Sequence, residues 1–182
     1  MYGERAAIAV LGPARFGDAR GARLEDVAAA VGRELARLGY AIIVEGEGQT
    51  AAVVARHARA YDGRVAAIAV PGAARLDVVG AETETRPTLF QALERVLELA
   101  DAIIVLPGDL RSLAVLTQVW AWGLEPDAPY RQIVLLGEGW PEVVRALADA
   151  TQLDQKTRAM VTFAREPLEA VEALRYYIAP KP

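Results

Sequence analysis

Five short apolar runs, at residues 6–11, 41–44, 65–70, 102–106 and 133–136, recur along the chain with helical patterns between them. Each run is continuous rather than alternating, which is the pattern of a strand buried on both faces. Strand-like runs alternating with helices leave few architectures open, and the natural one is a parallel sheet covered by helices on both sides. The helical reading is strongest over 24–38, where Leu24, Val27, Val31, Leu35 and Leu38 fall three and four residues apart and Gly39 ends the pattern. Over 89–100, Leu89, Leu93, Val96 and Ala100 share one face, while Gln91, Glu94, Arg95 and Glu98 share the other. A last helix is expected over 168–178, after a short strand around 160–163. The stretch 72–87, rich in Gly, Ala, Thr and charge, has no period. It reads as a long functional loop, with Glu82, Glu84 and Arg86 either reaching over a ligand as a lid or simply solvated.

The helix expected over 112–124 carries two apolar stripes. Leu113, Leu116, Trp120 and Leu124 form one, and Val115, Val119 and Trp122 form a second on nearly the opposite side. Both need cover, which implies either a helix buried inside the monomer or a homodimer interface, and the pattern favours the dimer.

Composition narrows the function classes. With 182 residues, 53% of them hydrophobic and 24% charged, the chain is apolar enough to fold as one domain over 1–182. No apolar run approaches the roughly 20 residues of a membrane helix. Gly12 and Pro13 follow the first apolar run at once, unlike a signal peptide, so a cytoplasmic location is expected. The sequence has no Cys, and His57 is its one imidazole, so thiolate chemistry is excluded and no metal site is expected. No cofactor is required by this composition. A net charge of −4 argues against nucleic acid and for small-molecule or protein partners. Asn is absent, Ser112 is the one serine, and Lys occurs only at Lys156 and Lys181. Such depletion fits a thermophile, and a GC-rich genome explains the excess of Ala and Arg equally well.

Candidate site residues lie where parallel strands end, because ligands bind at the carboxyl edge and helix N-termini there favour anions. Three Gly-bearing loops qualify, around Gly12, around Gly46 and Gly48, and around Gly108. Thr50, Arg111 and Ser112 add hydroxyls and a cation to the same edge, so a phosphate or nucleotide is expected among these seven residues. Tight turns need Gly in any case, and no loop has a full GxGxxG or GxxxxGKS spacing. Glu45, Glu47 and Asp109 are weak catalytic candidates. The two glutamates are paired carboxylates able to perturb each other, and Asp109 reads more naturally as a helix N-cap. His57 shares a helix side with Val53, Val54 and Tyr61 and reads as structural. Ser112 lacks the GxSxG context of a hydrolase.

The order of elements resembles the Rossmann-like family often labelled lysine decarboxylase-like, whose characterised members are LOG-type cytokinin riboside monophosphate phosphoribohydrolases. Ile8-Ala9-Val10-Leu11-Gly12 is similar to the family's first strand, and Tyr40 to Gly48 to its strand entering a triple-glycine loop, here Gly46-Glu47-Gly48. Most specific is the run from Leu99 to Gly108, similar to the strand that delivers PGGxGTxxE. Against that motif the chain reads Pro107-Gly108-Asp109-Leu110-Arg111-Ser112-Leu113-Ala114-Val115. Two glycines are replaced by Asp109 and Arg111, Ser112 keeps the hydroxyl, and Val115 stands where the family's catalytic Glu belongs. The family's Arg-Lys pair falls at Ala92 and Leu93, with Arg95 or Arg86 as substitutes.

The resemblance implies a doubly wound, three-layer α/β/α sandwich and a homodimer. Its departures imply a nucleotide-binding or phosphorylated-ligand-binding protein without phosphoribohydrolase activity, since a glycosidic bond breaks through a cationic transition state that carboxylates stabilise. Related members that carry a molybdenum cofactor imply that the scaffold can serve as a binder. The alternatives are an active hydrolase of nucleoside monophosphates using Glu45, Glu47 or Asp109, and a structural homodimer whose pocket has closed.

Overall fold

A computed structural model describes residues 6–17, 19–72, 80–125 and 131–178; the side chains of residues 19–22 and 111 lie outside that description. Seven strands form one fully parallel sheet: β1 (Ala7–Leu11), β2 (Ala41–Glu45), β3 (Arg64–Ala69), β4 (Glu82–Thr85), β5 (Ala102–Val105), β6 (Gln132–Leu136) and β7 (Val161–Ala164). Their order is β4-β3-β2-β1-β5-β6-β7. The helices are α1 (Ala19–Arg37), α2 (Gln49–Arg59), α3 (Leu89–Leu99), α4 (Leu110–Trp122), α5 (Trp140–Ala150), α6 (Gln155–Arg158) and α7 (Pro167–Tyr177). This is the expected Rossmann-like α/β/α sandwich.

Because side chains alternate along a strand, the continuous apolar runs feed two cores at once. Ile8, Val10, Ile42, Val44, Ile104 and Leu136 pack under α1, α2 and α7, while Ala9, Leu11, Ile43, Ile103 and Leu135 pack under α3, α4 and α5. In register, Ala9 sits between Ile43 of β2 and Ile103 of β5. The small Ala9 therefore meets large residues on both neighbouring strands, while Ala7 lies opposite Ala41.

Two expectations are corrected. The long loop over 72–87 is interrupted by β4, which pairs with β3 from Ala66 opposite Glu82 to Ala69 opposite Thr85. Its sequence, Glu-Thr-Glu-Thr, is mostly exposed, as suits an edge strand that keeps charges outward. Glu84 is no lid residue: it pairs with Arg86, and Arg95 Nε lies 3.1 Å from it while Arg95 Nη1 reaches Glu98 at 2.9 Å. Residues 73–79 lie outside the described ones.

The second correction concerns α4. Val115 and Val119 are as buried as Leu116 and Trp120, all within the core on the α3–α5 side of the sheet. The Trp120 indole donates to the Thr157 carbonyl at 2.7 Å, tying α4 to α6. The chain itself thus covers Val115, Leu116, Val119 and Trp120, while Leu113 and Trp122 are half-buried and Leu124 is 49% exposed. Further apolar exposure on this layer lies at Phe90 (70%) and Leu89 (42%) on α3 and at Leu110 (80%) on α4.

Candidate ligand-binding cleft

The sheet order places a topological switch between β1 and β5, whose onward connections run to opposite faces and open a crevice at the carboxyl edge. A cleft of about 820 Å³ occupies that position. It is walled by the loops after β1, β5, β6 and β7 and by the first turns of α1.

The loop after β1 is fastened to the start of α2. Thr50 Oγ1 donates to the Pro13 carbonyl at 2.8 Å, the Gln49 amide donates to Ala14 O at 2.8 Å, and the Phe16 amide donates to Gln49 Oε1. Glycine is required along this seam. A Cβ at Gly12 would stand 2.8 Å from Thr50 Cγ2, and one at Gly48, whose φ is +94°, would stand 2.8 Å from Ala14 Cα. The α2 N-terminus therefore spends donors on the protein's own carbonyls. Gly46 is pressed against β3, with its Cβ position 2.5 Å from Ala69 Cβ.

After β5, Asp109 is the N-cap of α4, as its sequence context suggests: the Ser112 amide donates to Asp109 Oδ1 at 3.1 Å. Ser112 is buried and its hydroxyl is 3.4 Å from the same oxygen. A Cβ at Gly108 would meet Ser112 Oγ at 2.0 Å and Pro13 Cδ at 3.4 Å, so the β1 and β5 loops touch here. A carboxylate already satisfies the first turn of α4, and its charge opposes a phosphate at that point.

The seven expected ligand residues thus cluster on one edge but do not share one surface. Of the seven, Gly108 lines the cleft, beside the catalytic candidate Asp109, whereas Gly12, Gly46, Gly48, Thr50 and Ser112 are not among its lining residues. Glu45 and Glu47 are half-buried at the end of β2 and also do not line it. The Arg111 backbone enters the first turn of α4, and the role expected of its side chain lies outside the described residues. His57, with Nδ1 3.1 Å from the Val53 carbonyl, sits well along α2. Ala92, Leu93 and Val115, the positions of the resemblance's basic pair and carboxylate, are buried in the apolar core. Arg95 and Arg86 are engaged with Glu84.

What converges on the cleft instead is Arg15, Arg23 and Arg165 against Asp109, Glu138 and Glu166. Two further helix starts border it. Gly139 heads α5 and Glu166 heads α7; each helix has a proline and a glutamate, Glu142 or Glu169, in its first turn, and the Arg165 amide donates to Glu169 Oε2 at 2.7 Å. The residues after β6, Gly137-Glu138-Gly139, repeat the Gly-Glu-Gly spacing of residues 46–48, a signal in the sequence that weighs as much as the one after β2. Arg23 and Arg165 carry no local motif and become site residues only through the packing of α1 and α7.

A second compartment of about 420 Å³ adjoins the first across Pro107, Gly108, Asp109 and Gly139. Its other walls are Leu110, Leu113, Trp140 and Val143. Among the described residues, no group of three His, Asp or Glu is placed to hold a metal ion, and no helix is long and apolar enough to cross a membrane.

No family model matches the sequence, and no curated protein matches it at a significant level. Solved structures do. The protein TM1055 superposes with a TM-score of 0.72 at 20% identity, covering 94% of this chain and 99% of that one. The molybdenum cofactor binding protein of the phototrophic bacterium Rippkaea orientalis gives 0.72 at 15% identity over 96% of this chain and 98% of its own. DNA processing protein A of Helicobacter pylori, which binds single-stranded DNA, gives 0.59 at 14% identity over 96% of this chain and 82% of its own. At such identities the likeness is one of architecture, and the architecture is the seven-stranded Rossmann-like sandwich shared over nearly the whole chain.

Proposed function

We propose that this chain is a cytoplasmic, non-hydrolytic binding protein that holds a phosphorylated small molecule, a nucleotide or a molybdopterin-type compound, in the switch-point cleft. The observation that carries the reading is the cleft itself, on which Arg15, Arg23 and Arg165 converge from α1 and from the loops after β1 and β7. Guanidinium groups are donors that phosphates select. In this reading Gly12, Gly46, Gly48, Thr50, Gly108 and Ser112 frame the edge, and Arg111 adds a cation from α4. The cleft is open at Asp109, which disfavours a pocket closed by that side chain. The solved relative that binds a molybdenum cofactor supports a carrier role on the same architecture, and the net charge of −4 disfavours the DNA-binding alternative.

A thermal-shift screen over nucleotides, sugar phosphates, molybdopterin and a single-stranded oligonucleotide tests this. A true ligand at 100 times its dissociation constant adds about 2.7 kcal/mol of stability. Arg165→Ala and Arg111→Ala should each weaken that ligand by about 1.5–3 kcal/mol, the cost of a lost charged hydrogen bond. Binding unchanged in both variants, or a response to the oligonucleotide alone, overturns the assignment.

A homodimer belongs to the same reading, now through α3, whose Phe90 and Leu89 are apolar and exposed. Phe90→Glu should convert a dimeric mass in light scattering to a monomeric one, because a carboxylate at the centre of an apolar contact loses its hydration. A wild-type monomer at micromolar concentration removes the dimer.

A further inference from the structure

We propose that the free edge of β7 is a docking surface for a second copy of this chain, joined strand to strand and α7 to α7 about a two-fold axis at Thr162. This contact does not depend on a ligand in the cleft, and it lies in the other half of the sheet from α3.

The two edges of the sheet are guarded differently. On β4 the sequence Glu-Thr-Glu-Thr keeps charges outward, whereas β7 reads Val-Thr-Phe-Ala with no charge, and Phe163 is 40% exposed. An uncharged edge is a template for another strand. Which atoms it offers follows from the ladder to β6. The Ile133 amide donates to Met160 O at 3.2 Å and the Gly137 amide to Ala164 O at 2.8 Å, so Met160, Thr162 and Ala164 turn toward β6. By alternation Val161 and Phe163 turn their amides and carbonyls outward, where no described residue pairs with them. The next outward amide, that of Arg165, is closed by Glu169 Oε2 at 2.7 Å.

This pattern is self-complementary. An antiparallel pairing that sets Val161 opposite Phe163 of the second copy uses both free residues on each strand, and each such pair exchanges two hydrogen bonds. The same register joins a β-branched side chain to an aromatic one on one face and places Thr162 opposite its own copy on the other. It also brings Lys156 and Arg158, which precede β7, toward Glu166 and Glu169, which follow β7 in the second copy.

The helix agrees with the strand. By accepting from the outward Arg165 amide, Glu169 marks the side of α7 that borders the free edge, and Ala173 and Tyr176 continue along that side at helical spacing. Since α7 packs over both β6 and β7, continuing the sheet at a strand spacing of about 4.8 Å sets the two copies of α7 about 10 Å apart, the distance of packed helices. Ala173 is small enough for that approach. Tyr176, 85% exposed, then faces Glu169 of the second copy, whose carboxylate accepts from its hydroxyl. Two free residues per strand make a small contact, so it forms at higher concentration than the contact through α3.

Because the chain has no Cys, one introduced thiol reports the register. Thr162→Cys and Phe163→Cys, each in the Phe90→Glu background that removes the α3 contact, are treated with oxidised glutathione at submillimolar protein. Across the axis residue 162 meets its copy with Cα atoms about 4.5 Å apart, within the disulfide range of about 4.4–6.8 Å, while residue 163 lies past about 7 Å from its own. Thr162→Cys should form the disulfide dimer at least ten-fold faster than Phe163→Cys, although Phe163 is the more exposed, and adding Ala173→Arg should abolish that advantage. Equal rates, a faster Phe163→Cys, an advantage that survives Ala173→Arg, or no dimer from Thr162→Cys overturns the pairing, as it would if the edge accepted only a foreign strand. If Thr162→Cys fails to fold, sedimentation of Phe90→Glu decides. Its mass should rise from one chain toward two with concentration, and Ala173→Arg should hold it at one; a mass fixed at one chain, or a rise that Ala173→Arg leaves intact, overturns the pairing without touching the cleft.

Discussion

Incubated with adenosine monophosphate or its N6-substituted relatives, the protein is expected to release no adenine above the uncatalysed background, and Val115→Glu is expected not to restore release. Val115 is 6% exposed inside the core under α4, in company with Leu116, Val119 and Ile103. A carboxylate placed there loses its water, so the variant should lose at least about 2 kcal/mol of stability rather than gain a catalyst. The basic pair fares no better, because Ala92 and Leu93 are each 5% exposed against the sheet. Removing one preorganised electrostatic group costs about 100- to 1,000-fold in turnover, and here the carboxylate, the basic pair and the phosphate-loop glycines are all replaced. Chromatographic assay of free base, with denaturant midpoints for the variant, checks both halves. Wild-type turnover near one per second, an ordinary enzyme rate, would assign the chemistry to Asp109, Glu45 or Glu47 and end the non-hydrolytic reading.

Gly48→Val should be the most destabilising single change at the carboxyl edge, lowering stability by about 3 kcal/mol or more. Two costs combine. The φ of +94° is closed to a β-branched residue, a strain of about 1–3 kcal/mol, and the new Cβ would stand 2.8 Å from Ala14 Cα, which is backbone and cannot rotate away. Relief requires the β1 loop to lift off α2, breaking the Gln49–Ala14 and Thr50–Pro13 hydrogen bonds. Because Pro13, Arg15 and Gly17 belong to the cleft wall, ligand affinity should fall along with the denaturation midpoint. A variant of wild-type stability would show that Gly48 is not held by this seam.

The resemblance to the LOG-type family pointed to the carboxyl edge of the sheet, where the cleft also opens, and most of the residues it singled out do not line that cleft. Its motif centres on the loops after β2 and β5, where this chain has self-capped one helix with Asp109 and buried the other under Ala14. The loops after β6 and β7 bring Glu138, Arg165 and Glu166 to the cleft. Nothing in the spacing of Arg23 or Arg165 announces this, since each is an ordinary charged residue in its own segment.

Sequence alone determined the layers. Continuous apolar runs can be satisfied only by strands covered on both faces, and the periods over 24–38 and 89–100 can be satisfied only by helices lying on them. Asp109 as an N-cap was legible for the same reason, because capping is a contact between residues three apart. Tertiary structure decided the rest. The strand β4 was hidden because an edge strand has no core face to impose an apolar pattern, and Val115 and Val119 of the second stripe of α4 are covered by the chain's own core. The cleft was decided last of all, by the order β1-β5-β6-β7, which brings Arg15, Arg23, Glu138 and Arg165 together from segments up to 150 residues apart. Local patterns encode what each segment buries; which exposed side chains meet depends on how the buried faces stack.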